Sequence, residues 1–120
     1  MTIEKDFSFD SAHFLPNTPP GHKCGRLHGH TYLLTVGIKS NLLEVEQWVM
    51  DFGDIKKVVN PLIENLDHQL LNSIPGLENP TAEIMAKYIY NILKPDLPEL
   101  HYIKVQETPT ARSIYYGDEK

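Results

Sequence analysis

The sequence predicts an α+β domain in which an antiparallel sheet carries two helices on one face. Stretches near both ends of the chain alternate in hydropathy with period two, as strands do, and two central stretches repeat with the period of an amphipathic helix. Prolines and glycines, 9 and 7 of the 120 residues, separate these stretches and keep each of them short. The predicted order is strand, strand, helix, helix, strand, strand, within a single domain that spans residues 1–120.

Two strands are predicted in the first third of the chain. Residues 3–13 and residues 28–39 both alternate regularly between apolar and polar positions. The intervening residues 15–27 contain three prolines and two glycines, so we expect them to form a loop. Residues 47–50 follow a polar turn and are expected to pair back as a short strand.

Two helices are predicted from apolar residues that fall on one stripe. Asp51 is expected to cap the first helix, whose stripe ends at Leu66, and Pro61 is expected to kink this helix or unwind one turn. Asn79 and Pro80 are expected to be the N-cap and first residue of the second helix. That helix should end before Pro95, and its predicted stripe consists of Ile84, Met85, Tyr88, Ile89 and Ile92.

Two last strands are predicted over residues 100–107 and 111–116, which again alternate. A sheet this small has exposed edge strands. We therefore expect its edges to be protected within the subunit or to pair with other subunits.

Composition and charge argue against several classes of function. The net charge is −5 at pH 7 and no run of lysine or arginine occurs, so nucleic acid is not an expected partner. The sequence has no apolar run of about 18 residues and no signal-like N-terminal segment, which predicts a cytoplasmic protein without a membrane span. The single cysteine cannot form an internal disulfide and argues against a cysteine-rich structural zinc site.

Three histidines are the candidate metal ligands. His28 and His30 are two residues apart on a predicted strand, so their imidazoles share one face. His13 lies near the end of the preceding strand and joins them if the two strands pair as a hairpin. Three neutral imidazoles with an open fourth position are typical of catalytic zinc. His22 is a rival ligand, but it lies in the loop, where nothing fixes its direction.

Cys24 lies in the same loop, and two interpretations of it stay open. As a fourth ligand it would close the metal site and make it structural. As an unligated nucleophile or base it would be favoured as the thiolate by Lys23, Arg26 and the metal. Its place on a loop favours the second interpretation.

Two carboxylates are further candidates. Asp67 precedes His68, and a carboxylate beside an imidazole fixes its tautomer, although a histidine here could instead only complement the helix dipole. Glu107 ends a predicted strand and could bind a guanidine-like edge by two parallel hydrogen bonds, although exposed glutamates at strand ends are common.

Five segments of the chain occur together, and in the same order, in one known family: HKCGRLHGH, DFGDIK, LDHQLLN, GLENPTAE and QETPTARSIYYG. The chain thereby resembles the 6-pyruvoyl-tetrahydropterin synthase superfamily over nearly its whole length. The C-x3-H-G-H spacing from Cys24 to His30 is typical of its 6-carboxy-5,6,7,8-tetrahydropterin synthase branch, which serves queuosine (7-deazaguanine) biosynthesis.

The resemblance implies a tunnelling fold, in which a four-stranded antiparallel sheet carries two helices. Three such subunits close into a barrel, and two trimers stack head to head as a homohexamer. This assembly would pair the exposed sheet edges and would place the sites at subunit interfaces.

The resemblance also implies a role for each candidate residue in a zinc enzyme that acts on a pterin triphosphate. The implied zinc ligands are His13, His28 and His30, the proton acceptor is Cys24, the relay is Asp67 with His68, and the pterin anchor is Glu107.

The implied reaction converts 7,8-dihydroneopterin triphosphate to 6-carboxy-5,6,7,8-tetrahydropterin and releases acetaldehyde and triphosphate. Zinc would polarise the side-chain hydroxyls of the substrate. Lys23 and Arg26 are the nearest candidates for binding the triphosphate, with Arg112 as a third. Two alternatives stay open: a pyruvoyl-type synthase that eliminates triphosphate without acetaldehyde, and a non-catalytic zinc- or pterin-binding module.

Overall fold

The computed structural model describes residues 1–117, and its elements follow the predicted order. Single turns of 3-10 helix lie at Lys23–Gly25 and Leu71–Ser73. The strands and helices are β1 (Thr2–His13), β2 (His28–Lys39), α1 (Phe52–Leu66), α2 (Ala82–Leu93), β3 (Leu100–Thr108) and β4 (Ala111–Tyr115).

The four strands form one antiparallel sheet in the order β1-β2-β3-β4, so each strand pairs with its neighbour in sequence. β1 and β2 pair without interruption from Thr2 opposite Lys39 to His13 opposite His28. The predicted α+β class, with a four-stranded antiparallel sheet and two helices, is confirmed.

Both helices cover the same face of the sheet. The alternate side chains of β2 from Tyr32 to Ile38 are almost fully buried and belong to one hydrophobic core with α1 and α2. Burying a large apolar side chain contributes roughly 1.5–3 kcal/mol to the free energy of unfolding. This row of buried side chains therefore stabilises the strand that carries His28 and His30.

The outer edge of β1 is protected by its own chain near the C-terminal end of the strand. The Ala12 N–H donates to the Gln69 carbonyl at 2.9 Å, and the His68 N–H donates to the Asp10 carbonyl at 2.6 Å. Asn72 continues the pairing, since its side-chain amide both accepts from the Phe14 N–H and donates to the Phe14 carbonyl. The segment after α1 is therefore docked along β1.

The prediction of a strand at residues 47–50 was wrong. The Gln47 N–H donates to the Leu43 carbonyl at 3.0 Å, and the Leu43 N–H donates to the Trp48 carbonyl at 2.8 Å. Gln47 also has a positive φ of 60°. These groups hydrogen-bond within a closed turn and do not extend the sheet.

The first helix begins as predicted, because the Asp51 carboxylate accepts from the Gly53 N–H at 2.8 Å. It stays α-helical through Pro61, so the predicted unwound turn does not occur. The second helix begins two residues later than predicted. Its N-cap is Thr81, whose hydroxyl accepts from the Ile84 N–H at 3.1 Å.

The predicted buried stripe of the second helix was partly wrong. Ile84 and Ile92 are 36% and 42% exposed. The stripe is rotated toward Ala82 and Ala86, whose small side chains allow the helix to lie close to the sheet. Across residues 1–117, no helix combines the length and apolar character that crossing a bilayer requires.

Candidate metal centre

Three histidines converge where the β1–β2 hairpin opens. His13 ends β1, His28 lies opposite it at the start of β2, and His30 follows two residues later on the same face. One side-chain nitrogen from each lies within 4.8 Å of the other two. His13 is only 1% exposed, and the other two are half-buried. The hairpin that the sequence predicts therefore brings the three candidate ligands together.

Backbone carbonyls orient two of these imidazoles. Nδ1 of His13 lies 2.8 Å from the Pro80 carbonyl oxygen, and Nδ1 of His28 lies 2.7 Å from the Arg26 carbonyl oxygen. A carbonyl can only accept, so both Nδ1 atoms carry the proton and both Nε2 atoms present a lone pair. Such outer hydrogen bonds are typical of metal-bound histidine.

The two Nε2 atoms of His13 and His28 are 3.0 Å apart. Two lone pairs that face each other at this distance repel unless a cation lies between them. This donor set fits a divalent metal that prefers imidazole nitrogen, such as zinc.

Burial keeps these ligands in the form that binds metal. Desolvation lowers the pKa of both His13 and His30, while the Glu107 carboxylate acts in the opposite direction on each. Imidazoles with a lowered pKa are neutral at pH 7, and metal binding requires neutral imidazole.

Cys24 lies outside this group of converging ligand atoms. It is half-buried in the 3-10 turn, where its N–H donates to Nδ1 of His22 at 3.0 Å and its carbonyl accepts from the Leu15 N–H at 2.8 Å. The rival ligand His22 is therefore engaged in shaping the cysteine turn, and within residues 1–117 it is not part of the three-histidine group.

Asp67 and His68 form a hydrogen-bonded pair at the end of α1. Nδ1 of His68 donates to Oδ2 of Asp67 at 2.9 Å, and the backbone N–H of Asp10 donates to Oδ1 at 2.9 Å. His68 has φ of 56°, a left-handed conformation that costs a residue with a side chain roughly 1–2 kcal/mol. Its backbone bond to Asp10 holds it there.

Pairing shifts the pKa of both Asp67 and His68. The Asp10 backbone N–H, followed by the His68 ring, holds the pKa of the Asp67 carboxyl below its usual range. The hydrogen bond that the His68 ring donates to the Asp67 carboxylate raises the pKa of His68, and the Asp10 carboxylate adds to this shift. His68 can thus carry a proton at higher pH than an isolated imidazole.

One member of the pair and one of the candidate metal ligands line the same cavity. His68 and His30 both line an open cavity of about 610 Å³ beside the β1–β2 hairpin, together with Asp10 and Thr31. The structure therefore places His68, from the Asp67–His68 pair, and His30, one of the three candidate ligands, on the same cavity.

We expect Asp67→Asn to lower the pKa of His68 toward 6.5, the usual value for histidine, because asparagine removes the negative charge but can still accept hydrogen bonds. The measurement is an NMR titration of the His68 ring. Asp96→Asn, at an exposed site after α2, is the matched control and should leave the titration unchanged. An unchanged pKa in Asp67→Asn would contradict the pairing.

Glu107 lies on β3 beside a second cavity, of about 380 Å³. Arg112 lines the same cavity, and its guanidinium donates to the Pro109 carbonyl at 3.3 Å. Glu107 is close enough to His13 and His30 to influence their titration. The candidate anchor is therefore near the metal ligands, but within one chain it lines a different cavity from His68.

Lys23 and Arg26 flank Cys24 and are exposed. The backbone carbonyl of Arg26 orients His28, which links the cysteine turn directly to the metal ligands. Arg112 lies instead in the Glu107 cavity. Lys23 and Arg26 are thus the two candidate cations on the cysteine turn.

Sequence reasoning missed the residues that hold the site in place. Asp10 fixes Asp67 and His68 through its backbone, and the hydroxyl of Ser11 donates to the Leu66 carbonyl at the end of α1. The carbonyls of Pro80 and Arg26 orient the imidazoles. Backbone contacts leave no signal in residue type. Ser11, a polar residue at a buried position of β1, was the one available hint.

This combination defines a class of protein: a small α+β candidate metalloenzyme with three histidine ligands on a β-hairpin and a carboxylate–imidazole pair beside them. The chain belongs to the 6-pyruvoyl tetrahydropterin synthase family, whose model matches residues 2–118. The membership that the five segments predict is thereby confirmed.

Similar proteins of known name support this placement. A 6-carboxy-5,6,7,8-tetrahydropterin synthase of Synechocystis is 41% identical over 121 residues, which cover 96% of this chain and 92% of that protein. One of Bacillus subtilis is 32% identical over 125 residues, covering 94% and 83%. The structure of a Caenorhabditis elegans 6-pyruvoyl tetrahydropterin synthase matches with a TM-score of 0.90 at 25% identity, over 98% of this chain and 96% of that one. The predicted tunnelling fold of the subunit is thus confirmed.

Proposed function

We propose that the protein is a zinc-dependent lyase that converts 7,8-dihydroneopterin triphosphate and one water molecule to 6-carboxy-5,6,7,8-tetrahydropterin, with release of acetaldehyde and triphosphate, in queuosine biosynthesis. The observation that carries the proposal is the convergence of three imidazoles, two with lone pairs 3.0 Å apart, beside the Asp67–His68 pair. The names of the relatives supply the proposed product, 6-carboxy-5,6,7,8-tetrahydropterin.

The residues of the chain divide the chemistry among them. His13, His28 and His30 would hold zinc, which when bound polarises hydroxyl groups of the substrate side chain. Cys24 accepts a carbon-bound proton from that side chain. His68 exchanges a proton at its Nε2 atom, while Asp67 holds the opposite nitrogen and keeps the ring oriented.

Binding relies on groups of opposite character at the two ends of the substrate. Glu107 accepts hydrogen bonds from the 2-amino group and N3 of the pterin, since a carboxylate can take two parallel donors. Lys23 and Arg26 are exposed and positively charged, and they attract the departing triphosphate despite the negative charge of the whole chain.

We further propose that the working form is a cytoplasmic homohexamer, a dimer of trimers with sites completed across subunits. The edge strand β4 and the part of β1 that precedes Asp10 support this arrangement, since the segment after α1 covers only the end of β1 and an open edge of a small sheet can pair. The separate cavities of Glu107 and His68 support it as well, because one substrate could contact both if neighbouring subunits supply them.

Incubating the zinc-loaded protein with 7,8-dihydroneopterin triphosphate tests the proposed reaction. We expect acetaldehyde and triphosphate to be released in equal amounts, with 6-carboxy-5,6,7,8-tetrahydropterin identified by mass spectrometry. A pyruvoyl pterin formed without acetaldehyde would instead identify a pyruvoyl-type synthase. Binding without turnover would identify a non-catalytic module.

A further inference from the structure

Ser113 is a buried polar residue whose hydroxyl has no partner within the described residues. It lies on β4 opposite Val105 of β3, a buried core residue, so its side chain points to the helix-covered face of the sheet. Within residues 1–117, its Oγ is the one buried side-chain polar atom without a hydrogen bond. Buried hydroxyls in folded proteins nearly always have a hydrogen-bond partner, so the absence of one at this atom needs an explanation.

Ser113 belongs to the wall of a cavity, although its Oγ atom is itself buried. Ser113 and Glu107 both line the space of about 380 Å³ between the β3–β4 hairpin and the start of α2. Ala82, Ala111 and Arg112 complete much of this wall. A ligand held by the Glu107 carboxylate therefore lies in the cavity that Ser113 borders.

A carboxylate alone cannot satisfy the edge of a pterin ring. It accepts hydrogen bonds from the 2-amino group and N3, but that edge is flanked by acceptors, the C4 carbonyl oxygen and N1. A serine hydroxyl can rotate to donate to such an acceptor. The Glu107–Ser113 pair thus offers an acceptor and a donor to a heterocycle that presents both kinds of group.

We propose that Ser113 binds the pterin ring directly, by donating its hydroxyl hydrogen to a ring acceptor next to the edge held by Glu107. This inference rests on the proposed function and adds a residue that determines affinity for the heterocycle. Within residues 1–117 the hydroxyl has no partner, and rotation of the Ser113 side chain about its Cα–Cβ bond would let the ligand in the cavity supply one.

The test compares Ser113→Ala with Glu107→Gln and with Ser40→Ala, a matched control near the opposite end of the sheet. The Kd for 7,8-dihydroneopterin is measured by fluorescence titration, and the unfolding temperature is measured without ligand. We expect Ser113→Ala to raise Kd roughly threefold to tenfold, as for the loss of one neutral hydrogen bond. Its unfolding temperature should not fall, because no bond within the described protein is lost.

Each other outcome overturns the inference in a distinct way. If Ser113→Ala binds like wild type while Glu107→Gln binds weakly, Ser113 does not contact the ring and the proposed function stands. If Ser113→Ala unfolds several degrees earlier, the hydroxyl is structural. If wild type does not bind the pterin, the proposed function fails together with this inference.

Discussion

Replacing His28 with alanine is expected to weaken zinc binding by about two orders of magnitude. Four-ligand zinc sites gain about 10–16 kcal/mol, so one ligand contributes roughly 3 kcal/mol, which corresponds to about a hundredfold in affinity. The substitution removes the Nε2 atom that lies 3.0 Å from Nε2 of His13. Only two imidazoles remain, which are too few ligands to bind zinc tightly.

The measurement is zinc content by elemental analysis after gel filtration against a competing chelator. His101→Ala is the matched control, because His101 lies on β3, packs against Tyr102 and Tyr116, and is outside the three-histidine group. The control should keep one zinc per subunit. Finding one tightly held zinc per subunit in His28→Ala as well would refute the ligand assignment.

Replacing Cys24 with alanine is expected to leave zinc bound while turnover falls by about 100- to 10,000-fold, the usual contribution of a positioned proton acceptor. The reason lies in the geometry: within residues 1–117 the converging ligand atoms come from His13, His28 and His30, and Cys24 is held apart on its own turn. A base that is not a ligand can be removed without disturbing the metal.

Acetaldehyde release and zinc content, measured on the same preparation, decide the role of Cys24. Cys24→Ser retains the size of the side chain but not an acidic thiol, so it should be impaired nearly as strongly as the alanine variant. Loss of zinc from Cys24→Ala would show that the sulfur is a fourth ligand. Turnover close to wild type would show that the proton acceptor is another group.

The parts of the fold that follow from short-range periodicity were predictable. Alternation of residue type identified β1 and β2, and the hairpin between them placed His13 opposite His28. Predictions were wrong where the packing or hydrogen bonding of particular side chains outweighed the hydropathy pattern. The Thr81 hydroxyl displaced the predicted cap at Asn79, and small residues turned α2 so that Ile84 faces outward.

The site was predictable only as far as residue types reveal chemistry. Clustered histidines and the Asp67–His68 pair are visible in the chain as written. The contact of Asp10 with Asp67 spans 57 residues and depends on how the segment after α1 docks on β1. The unpaired hydroxyl of Ser113 emerges only once a cavity exists beside it. Such features belong to tertiary structure.

The docking of residues 67–72 along β1 has a consequence for how the protein tolerates changes in length. The length of β1 sets the geometry of the whole centre, because this strand ends in His13 and also carries the backbone groups that bind the segment after α1. The Asp10 carbonyl accepts from the His68 N–H, and the Ala12 N–H donates to the Gln69 carbonyl. Adding a single residue just before His13 would turn its ring to the opposite side and shift it against the helix-end pair. Extra residues beside the exposed Pro16 and Asn17 would enlarge a surface loop without displacing His13, so natural length variation should concentrate there.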